Sequence, residues 1–318
     1  MRRILFISAL VFFASFISCK KKASQDGWTD TLTSGYIKIA CDESFKALMD
    51  AEIDVFEARH NYNALITPIY TNEAEAIRLL VEDSVRFALT TRDLNYKEKA
   101  DIESRKMEAR KHLVAFDGVA LITNNMNKDS IIGISTLEKI LTGEITEWSQ
   151  INSNSQIGTI RVIFDNNNSG VLRYTVDSIS KGRPLTPNAY ALGNSQEVIE
   201  KVAEMPNALG LVGINVLSDV SYVYSEFQNK IRLVRISKEE NATVSNSYLP
   251  YAGDIVQENY PLWRPVYVLI SDPRSGLSSG LSIFLSNEIG QKIILKSGLL
   301  PITDPHVIPV IISDEYPE

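Results

Sequence analysis

A polar loop from Asp165 to Gly170, with the sequence Asp-Asn-Asn-Asn-Ser-Gly, is the feature of this chain best suited to bind a ligand. It follows an apolar segment and precedes a segment with the pattern of a helix. Asn and Asp tolerate left-handed backbone angles, glycine allows close approach, and serine adds a hydroxyl donor. Free backbone N–H groups at the start of a helix favour anions. The loop therefore has the chemistry of an oxyanion site, although an ordinary Asn-rich turn with Ser169 as helix N-cap explains the same residues.

A second candidate is Asp117, which stands in an apolar stretch directly before Gly118. A buried carboxylate needs partners, and in an anion site it is useful only when the ligand carries a proton that it can accept. Such a site prefers hydrogen phosphate to fully ionised sulfate. The alternative is a turn role, which Asp-Gly pairs commonly have.

Two further hydroxyls follow predicted strands. Residues 36–41, 64–70 and 86–90 have the composition of strands, and helical spacing of apolar residues separates them. This alternation predicts βαβ units with a parallel sheet, in which ligands bind beyond the carboxyl ends of the strands. Ser44 and Thr91 follow the first and third of these strands. We therefore expect them near the Asn-rich loop and Asp117.

The remainder of the chain continues as α/β. Predicted strands cover residues 114–124, 160–164, 208–212, 231–236 and 263–270, and predicted helices cover 136–151, 170–180, 197–203 and 281–297. The strand at 114–124 is either a pair or one strand long enough to cross between two lobes. Residues 307–318 have no assignment.

The composition restricts the class of ligand. The chain has 318 residues, is 44% hydrophobic and carries a formal net charge of −7, without a basic cluster after its first two dozen residues. Nucleic acid is therefore not an expected partner, because phosphate-backbone binding needs a basic face. His60, His112 and His306 are too scattered for a metal site, and no nucleotide-binding motif occurs. We expect no cofactor and no metal.

The N-terminus resembles a bacterial lipoprotein signal. Arg2 and Arg3 precede an apolar run over residues 4–17, and Cys19 follows small and apolar residues. This predicts a signal peptide at 1–18, lipidation of Cys19 and a lipid-attached tether at 19–34; an ordinary secretion signal or an uncleaved anchor is the alternative. Cys41 would then be the one remaining cysteine, and we expect it to be a small buried hydrophobe.

Seven segments, in their order and spacing, resemble the phosphate-binding component of bacterial ABC transporters, a type II periplasmic-binding-protein family, over residues 35–305. They are GYIKIA (35–40), FDGVA (116–120), LTGEITEW (141–148), Ser169-Gly170, ALGLVG (208–213), YPLWRP (260–265) and GQKI (290–293). The resemblance implies an α/β fold with two lobes, each a mostly parallel sheet flanked by helices, and a ligand cleft between them. Lobe 1 would comprise residues 35–124 and 229–318, and lobe 2 residues 125–228.

The resemblance also implies a set of ligand-binding residues: Ser44, Phe45, Thr91, Arg92, Asp117, Ser169 and Gly170. Phe45 would contribute its backbone N–H. Thr91 and Arg92 match the family's Ser-Arg pair, and Asp117 matches the carboxylate that accepts the proton of phosphate.

Some positions depart from the family. Val171 replaces the Thr of its Ser-Gly-Thr loop, and Asp165 stands where the family usually has an arginine that pairs with the anion. Asp42 and Glu43 add acidic groups to the first loop. An anion in place of a cation opposes a bound dianion. Three arginines are candidates to compensate: Arg92, Arg161 and Arg264.

The leading hypothesis is a monomeric, lipid-anchored solute-binding protein at the periplasmic side of a bacterial membrane or at the cell surface. It would capture inorganic phosphate or a related oxyanion and deliver it to ABC permease subunits, and it would not be an enzyme. One alternative keeps the fold as a non-transport surface, sensor or assembly protein with an altered or lost anion site. Another is a hydrolase that uses Ser169 as nucleophile, although no G-x-S-x-G elbow surrounds this residue.

Overall fold

The structure is a computed structural model that describes residues 30–218 and 226–303. The predicted signal peptide at 1–18, the lipidation site Cys19, most of the tether and the tail at 307–318 lie outside the described residues. None of the helices in the described ranges is both long enough and apolar enough to span a membrane.

Strands and helices alternate over most of the described chain. The strands are β1 (Gly35–Asp42), β2 (Ala64–Thr71), β3 (Phe87–Thr90), β4 (Arg110–Asn124), β5 (Ile131–Gly133), β6 (Arg161–Phe164), β7 (Ala189–Ala191), β8 (Ala208–Gly213), β9 (Ile231–Leu233), β10 (Arg235–Ser237), β11 (Ser247–Tyr248), β12 (Trp263–Ile270) and β13 (Leu300–Pro301). The helices are α1 (Lys46–Arg59), α2 (Glu73–Val81), α3 (Tyr96–Glu103), α4 (Ile134–Thr142), α5 (Gly170–Tyr174), α6 (Ser195–Glu204), α7 (Ala252–Val256), α8 (Leu277–Ser286) and α9 (Glu288–Lys296).

The long strand β4 joins two half-sheets. The strand order is β2-β1-β3-β12-β4-β8-β6-β7, with β9 and β13 also beside β4. The first part of β4 pairs with β12, from Arg110 to Gly118, and the second part pairs with β8, from Val119 to Thr123. Of the two alternatives that the sequence leaves open for residues 114–124, a strand pair or one long strand, the structure has the long strand, which both half-sheets share. Strands β1, β2 and β3 are parallel, and so are β6, β7 and β8.

One apolar core runs along both half-sheets, and another lies on the second half-sheet. Fully buried Phe87 and Phe45 of the first half-sheet share the former with Ile163 of the second, and Trp148 and Phe164 belong to the latter. Burial of side chains of this size contributes roughly 1.5–3 kcal/mol each relative to exposure. The two cores hold the strand ends that carry the candidate site in fixed positions.

Cys41 has no exposed surface, so the prediction of a buried cysteine is confirmed. Burial also raises the pKa of its thiol far above the ordinary value, which keeps it protonated and unreactive.

Several predicted elements are shorter than expected or divided. The helix predicted over 136–151 ends as α4 at Thr142, because Gly143 follows in the left-handed conformation with φ 81°. The single helix predicted over 281–297 is wrong, since Asn287 ends α8 and its side chain accepts from the N–H groups of Ile289 and Gly290 to cap α9.

Two more predictions need correction, and two helices, α3 and α7, were not predicted. The helix predicted over 170–180 is α5 followed by a π-helical turn at Thr175–Ile179, and the strand predicted over 231–236 is divided into β9 and β10. Helix α3 has no apolar stripe, because Ile102 is its one buried residue, and it therefore gave no periodic signal.

Candidate functional site

A buried arginine, Arg264, occupies the point where β4 changes partner between the half-sheets. It faces Asp117 across the β12–β4 pairing, and its side chain is 1% exposed. Its Nε donates to Asp117 Oδ2 at 2.9 Å, and Nη2 lies 2.9 Å from the same oxygen. The other carboxylate oxygen accepts from the N–H of Ile214 at 3.1 Å, at the end of β8. The pair thus joins both half-sheets.

The electrostatics of this pair are set by burial. Burial raises the pKa of Asp117, and the charge of Arg264 opposes this shift without cancelling it. Burial disfavours the charged guanidinium, but Asp117 and the neighbouring carboxylates outweigh this effect and raise the pKa of Arg264. The arginine is therefore a permanent cation inside the protein.

The hydroxyl of Thr91 links Arg264 to a second ion pair. It accepts from Arg264 Nη1 at 3.4 Å and from Arg173 Nη2 at 3.1 Å, and it donates to Glu73 Oε1 at 2.5 Å. The Thr91 N–H donates to the same Glu73 oxygen at 2.7 Å. Arg173 Nε donates to Glu73 Oε2 at 2.6 Å. Because Arg173 belongs to α5, this pair connects the second lobe to residues of the first.

Gly170 lies against the same groups. A Cβ at this position would be 2.6 Å from Thr91 Oγ1, 2.7 Å from Arg264 Nη1 and 2.9 Å from Glu73 Oε1. Such distances leave no space for a side chain. The absence of a Cβ is therefore what permits the Asn-rich loop of the second lobe to pack against Thr91, Arg264 and Glu73 at the junction of the half-sheets, which is the position of the cleft.

Asp42 and Ser44 form the first loop of the cleft. Asp42 Oδ1 accepts from the N–H and hydroxyl of Ser44 at 3.0 and 2.8 Å, while Asp42 Oδ2 is buried without a hydrogen-bond partner among the described residues. The Asn215 amide donates to the Ser44 carbonyl. Burial raises the pKa of Asp42, and Arg264 opposes the shift.

The Asn-rich loop carries Asp165 and Ser169 at its two ends. Burial raises the pKa of Asp165 to about 6, and a hydrogen bond from Ser169 partly opposes the shift. Ser169 Oγ accepts from the Leu172 N–H at 3.0 Å and so caps α5. The turn-and-cap interpretation of Ser169 is thus confirmed, and the loop still faces the cleft, where Asn168 O accepts from the Ala74 N–H at 3.4 Å.

Most of the predicted site residues lie together. Thr91, Asp117 and Gly170 surround Arg264, and the Phe45 ring centroid is 5.7 Å from the Arg264 guanidinium carbon. Ser44 belongs to the same group, because its N–H and hydroxyl donate to Asp42, and the charge of Arg264 acts on that carboxylate. That these residues bind a solute stays a prediction.

The three arginines that could compensate for the acidic residues of the site have different surroundings in the structure. Arg264 is the one that enters the cleft. Arg92 forms a two-fold ion pair with Glu98 at 2.7 and 2.8 Å, and Arg161 donates to the Tyr190 hydroxyl at 2.7 Å. The side chain of Arg92 is therefore already engaged away from Thr91.

Two residues of the cleft, Glu73 and Arg173, were not predicted. An acid in the first turn of a helix is explained by the helix dipole alone, and Asn72 already caps α2, so Glu73 has an ordinary local explanation. Arg173 had no local signal, because its partner is 100 residues away in the sequence.

The cleft is unusually acidic for an anion site. It contains the guanidinium groups of Arg264 and Arg173 and four buried carboxylates: Asp42, Glu73, Asp117 and Asp165. Within the described ranges, no three His, Cys, Asp or Glu residues are grouped so that they could hold a metal ion. The remaining chemistry is hydrogen bonding and charge pairing.

Residues 27–287 match the sequence profile of the PBP superfamily domain. The phosphate-binding protein PstS of Bacillus subtilis (strain 168) is 22% identical over 293 residues, which cover 91% of this chain and 88% of that protein. PstS of Staphylococcus haemolyticus is 21% identical over 217 residues, 68% of this chain, and the match spans 64% of its length. A protein of Clostridium perfringens solved with bound phosphate superimposes with a TM-score of 0.70 at 20% identity, covering 85% of this chain and all of that chain.

The family profile covers most of the chain, and the two half-sheets joined by β4 have the corresponding architecture. The chain therefore belongs to the PBP superfamily, with the two-lobed type II fold of the phosphate-binding proteins that it resembles. This is a class of substrate-binding proteins.

Proposed function

We propose that this chain is the solute-binding protein of an ABC-type importer and that its solute is phosphate or a closely related oxyanion. The observation that carries the proposal is the buried guanidinium of Arg264, which lies at the junction of the lobes with the Thr91 hydroxyl and the backbone of Gly170 beside it. The names of its relatives support the same assignment.

The proposed mechanism is hinge closure. The lobes separate, an oxyanion enters, and closure surrounds it with N–H, O–H and guanidinium donors from both lobes. Charge-assisted hydrogen bonds of this kind contribute roughly 1.5–3 kcal/mol each. Asp117 would accept the proton of hydrogen phosphate, which sulfate lacks. A membrane permease would then receive the solute.

Calorimetric titration of the purified protein with inorganic phosphate, and separately with sulfate, tests this proposal. We expect one site for phosphate and no heat with sulfate at the same concentrations. Arg264→Lys should weaken phosphate binding strongly, because a lysine cannot reproduce the fork of the guanidinium, and its melting curve will show whether it is folded. The absence of heat and of a thermal shift at millimolar phosphate would remove the transport assignment.

We further propose that Cys19 is lipidated and holds the protein at the periplasmic side of a membrane or at the cell surface. The proposal depends on the lipobox-like sequence. Metabolic labelling with a fatty acid should mark the wild-type protein and not Cys19→Ser. Equal labelling of both would exclude this cysteine.

A second candidate is a surface, sensor or assembly protein that keeps the fold with an altered anion site. One observation favours it: Asp117 already accepts from Arg264 Nε, and Glu73 already accepts from Arg173 Nε and from the Thr91 N–H. The phosphate titration separates the two candidates, because a protein without a working anion site should bind no phosphate at any pH from about 5 to 8. This interval brackets the second ionisation of phosphate, near about 6–7.

We infer that the chain has no catalytic activity. Ser169 has the role of a helix cap, with Oγ accepting from Leu172 N–H, and this supports a structural hydroxyl. Turnover of generic ester substrates that disappears in Ser169→Ala would contradict this inference.

A further inference from the structure

The carboxylate of Glu73 has the surroundings that a bound anion would have. Its side chain is 2% exposed, and it receives hydrogen bonds from both lobes: the Thr91 N–H and hydroxyl on one side and the Arg173 Nε on the other. Arg264 stands directly behind, 3.4 Å from the Thr91 hydroxyl. A solute-binding protein normally offers such a shell of donors to its ligand.

The same contacts connect the lobes. Glu73 begins α2 beside the first half-sheet, and Arg173 is in α5 beside the second. Their ion pair, with N and O atoms 2.6 Å apart, is supplemented by Arg173 Nη2, which donates to the Thr91 carbonyl at 3.3 Å. The lobes are therefore held together by a negative group that belongs to the chain.

Glu73 is ionised in this position. Burial opposes its charge, but the hydrogen bond and charge of Arg173 and the hydrogen bond from Thr91 outweigh burial and hold the pKa below its ordinary value. A second anion cannot share these donors, because like charges at this distance repel strongly where water is excluded. An incoming oxyanion must displace Glu73.

We propose that Glu73 is a tethered competitor: its carboxylate occupies the anion-binding donors of the cleft, closes the lobes without solute, and leaves when an oxyanion binds. The side chain of Arg173 is 29% exposed, so the ion pair that must break lies next to solvent. Affinity for solute is lower than the donors alone would provide, because each binding event must break the internal ion pair. This inference rests on the proposed oxyanion function for the choice of ligand, but not for the closure itself.

Three variants of the full chain test it. Glu73→Gln removes the charge at nearly constant shape, Glu73→Ala removes the whole group, and Glu75→Gln is the matched control on the same helix, where Glu75 pairs with Arg78 at the surface. Small-angle scattering without phosphate reports closure, and calorimetry with inorganic phosphate reports affinity.

The proposal predicts a larger radius of gyration for Glu73→Ala without phosphate and a return to the wild-type value with it. Glu73→Gln should bind phosphate at least about tenfold more tightly, a factor equivalent to about 1.4 kcal/mol. Unchanged dimensions of Glu73→Ala together with an unchanged phosphate affinity of Glu73→Gln would overturn it. An equal gain of affinity in Glu75→Gln would also overturn it, because the charge of the helix rather than the cleft carboxylate would then be responsible.

The closure and the ligand can fail separately. If Glu73→Ala expands and none of the proteins binds phosphate, the closing role of Glu73 stands and the phosphate function is excluded.

Discussion

At the scale of single residues, Arg264 and the groups around its guanidinium determine the chemistry of the candidate site. Asp117 neutralises it, Thr91 connects it to Arg173, and Gly170 leaves it the necessary space. A buried ion pair contributes little net stability compared with apolar residues, but loss of one partner is costly because the other charge is then left uncompensated. The Asp117–Arg264 pair is therefore better explained by function than by stability.

Asp117→Asn should lower the free energy of unfolding by up to about 3–5 kcal/mol, because Arg264 keeps its charge and loses the counterion that its Nε and Nη2 contact directly. Added phosphate should restore part of the lost melting temperature by supplying one. Thermal denaturation with and without phosphate measures both effects. Asp83→Asn is the matched control, since Asp83 pairs with Arg86 at the surface, where such pairs contribute roughly 0–1 kcal/mol. Equal melting temperatures for both variants would contradict the account.

Gly170→Ala should prevent the lobes from packing as they do, because its Cβ would lie within 3 Å of three side-chain atoms of the cleft. Overpacking of this kind costs about 1–3 kcal/mol. Gly253→Ala is the control, because a Cβ there meets nothing within 4 Å. Denaturant titration should separate the two variants, and equal midpoints would show that the space around Gly170 is not restricted.

Some residues of the candidate site could be predicted from the sequence, and others could not. Thr91 was predicted because polar residues after strands of an α/β sheet gather at one edge, Asp117 because a carboxylate in an apolar stretch needs partners, and Gly170 because it ends the Asn-rich loop. Arg264 was one of three open candidates, and its selection required the cross-strand register with Asp117. Glu73 and Arg173 were missed, because a contact between residues 100 positions apart leaves no local pattern.

At the scale of elements, helix α1 contains an instructive residue. Glu52 is fully buried, both of its carboxylate oxygens lack a hydrogen-bond partner within the described part of the chain, and burial raises its pKa to about 9. The folded protein therefore holds a proton on Glu52 that the unfolded chain releases above pH 4.5. Between pH 4.5 and 9 stability falls as pH rises, by up to about 1.4 kcal/mol per pH unit from this group.

Glu52→Met should remove this dependence and raise the melting temperature more at pH 8 than at pH 5. Melting curves over that range provide the measurement. Glu103→Met, at an exposed position at the end of α3, should leave the slope unchanged. A slope that is the same in wild type and in Glu52→Met would show that the Glu52 carboxylate is solvated.

Element boundaries were predicted where the chain carries a strong signal. The strand Trp263–Ile270 is continuous and apolar, and its predicted limits agree with β12. The division between α8 and α9 was missed even though Asn287 followed by Glu288 is a helix-start signal, because the apolar spacing continues through it. The capping hydrogen bonds of Asn287 start a new helix there, although the apolar spacing continues.

At the scale of the whole molecule, the two lobes share β4 and a closed junction. The Glu43 carboxylate adds a further bridge, since its Oε1 accepts from the N–H and hydroxyl of Ser195 at 3.0 and 3.1 Å. The division into two lobes was predictable from the length of the chain and from the family resemblance. The closed junction was not, because its contacts are formed by side chains from distant segments.

We expect the lobes to unfold together, because β4 belongs to both half-sheets and the junction is buried. In a variant in which phenylalanine replaces Trp28 and Trp263, the fluorescence of Trp148, which is fully buried in the second lobe, and far-ultraviolet circular dichroism should then report the same midpoint in denaturant. Separate midpoints would show that the lobes are independent units.

A crystal structure determined at millimolar inorganic phosphate would show directly whether an oxyanion replaces Glu73. We expect density for an oxyanion bonded to the Thr91 N–H and hydroxyl and to the guanidinium groups of Arg173 and Arg264, with the Glu73 side chain displaced toward solvent. An unchanged Glu73–Arg173 ion pair and a cleft without an anion at that concentration would contradict it.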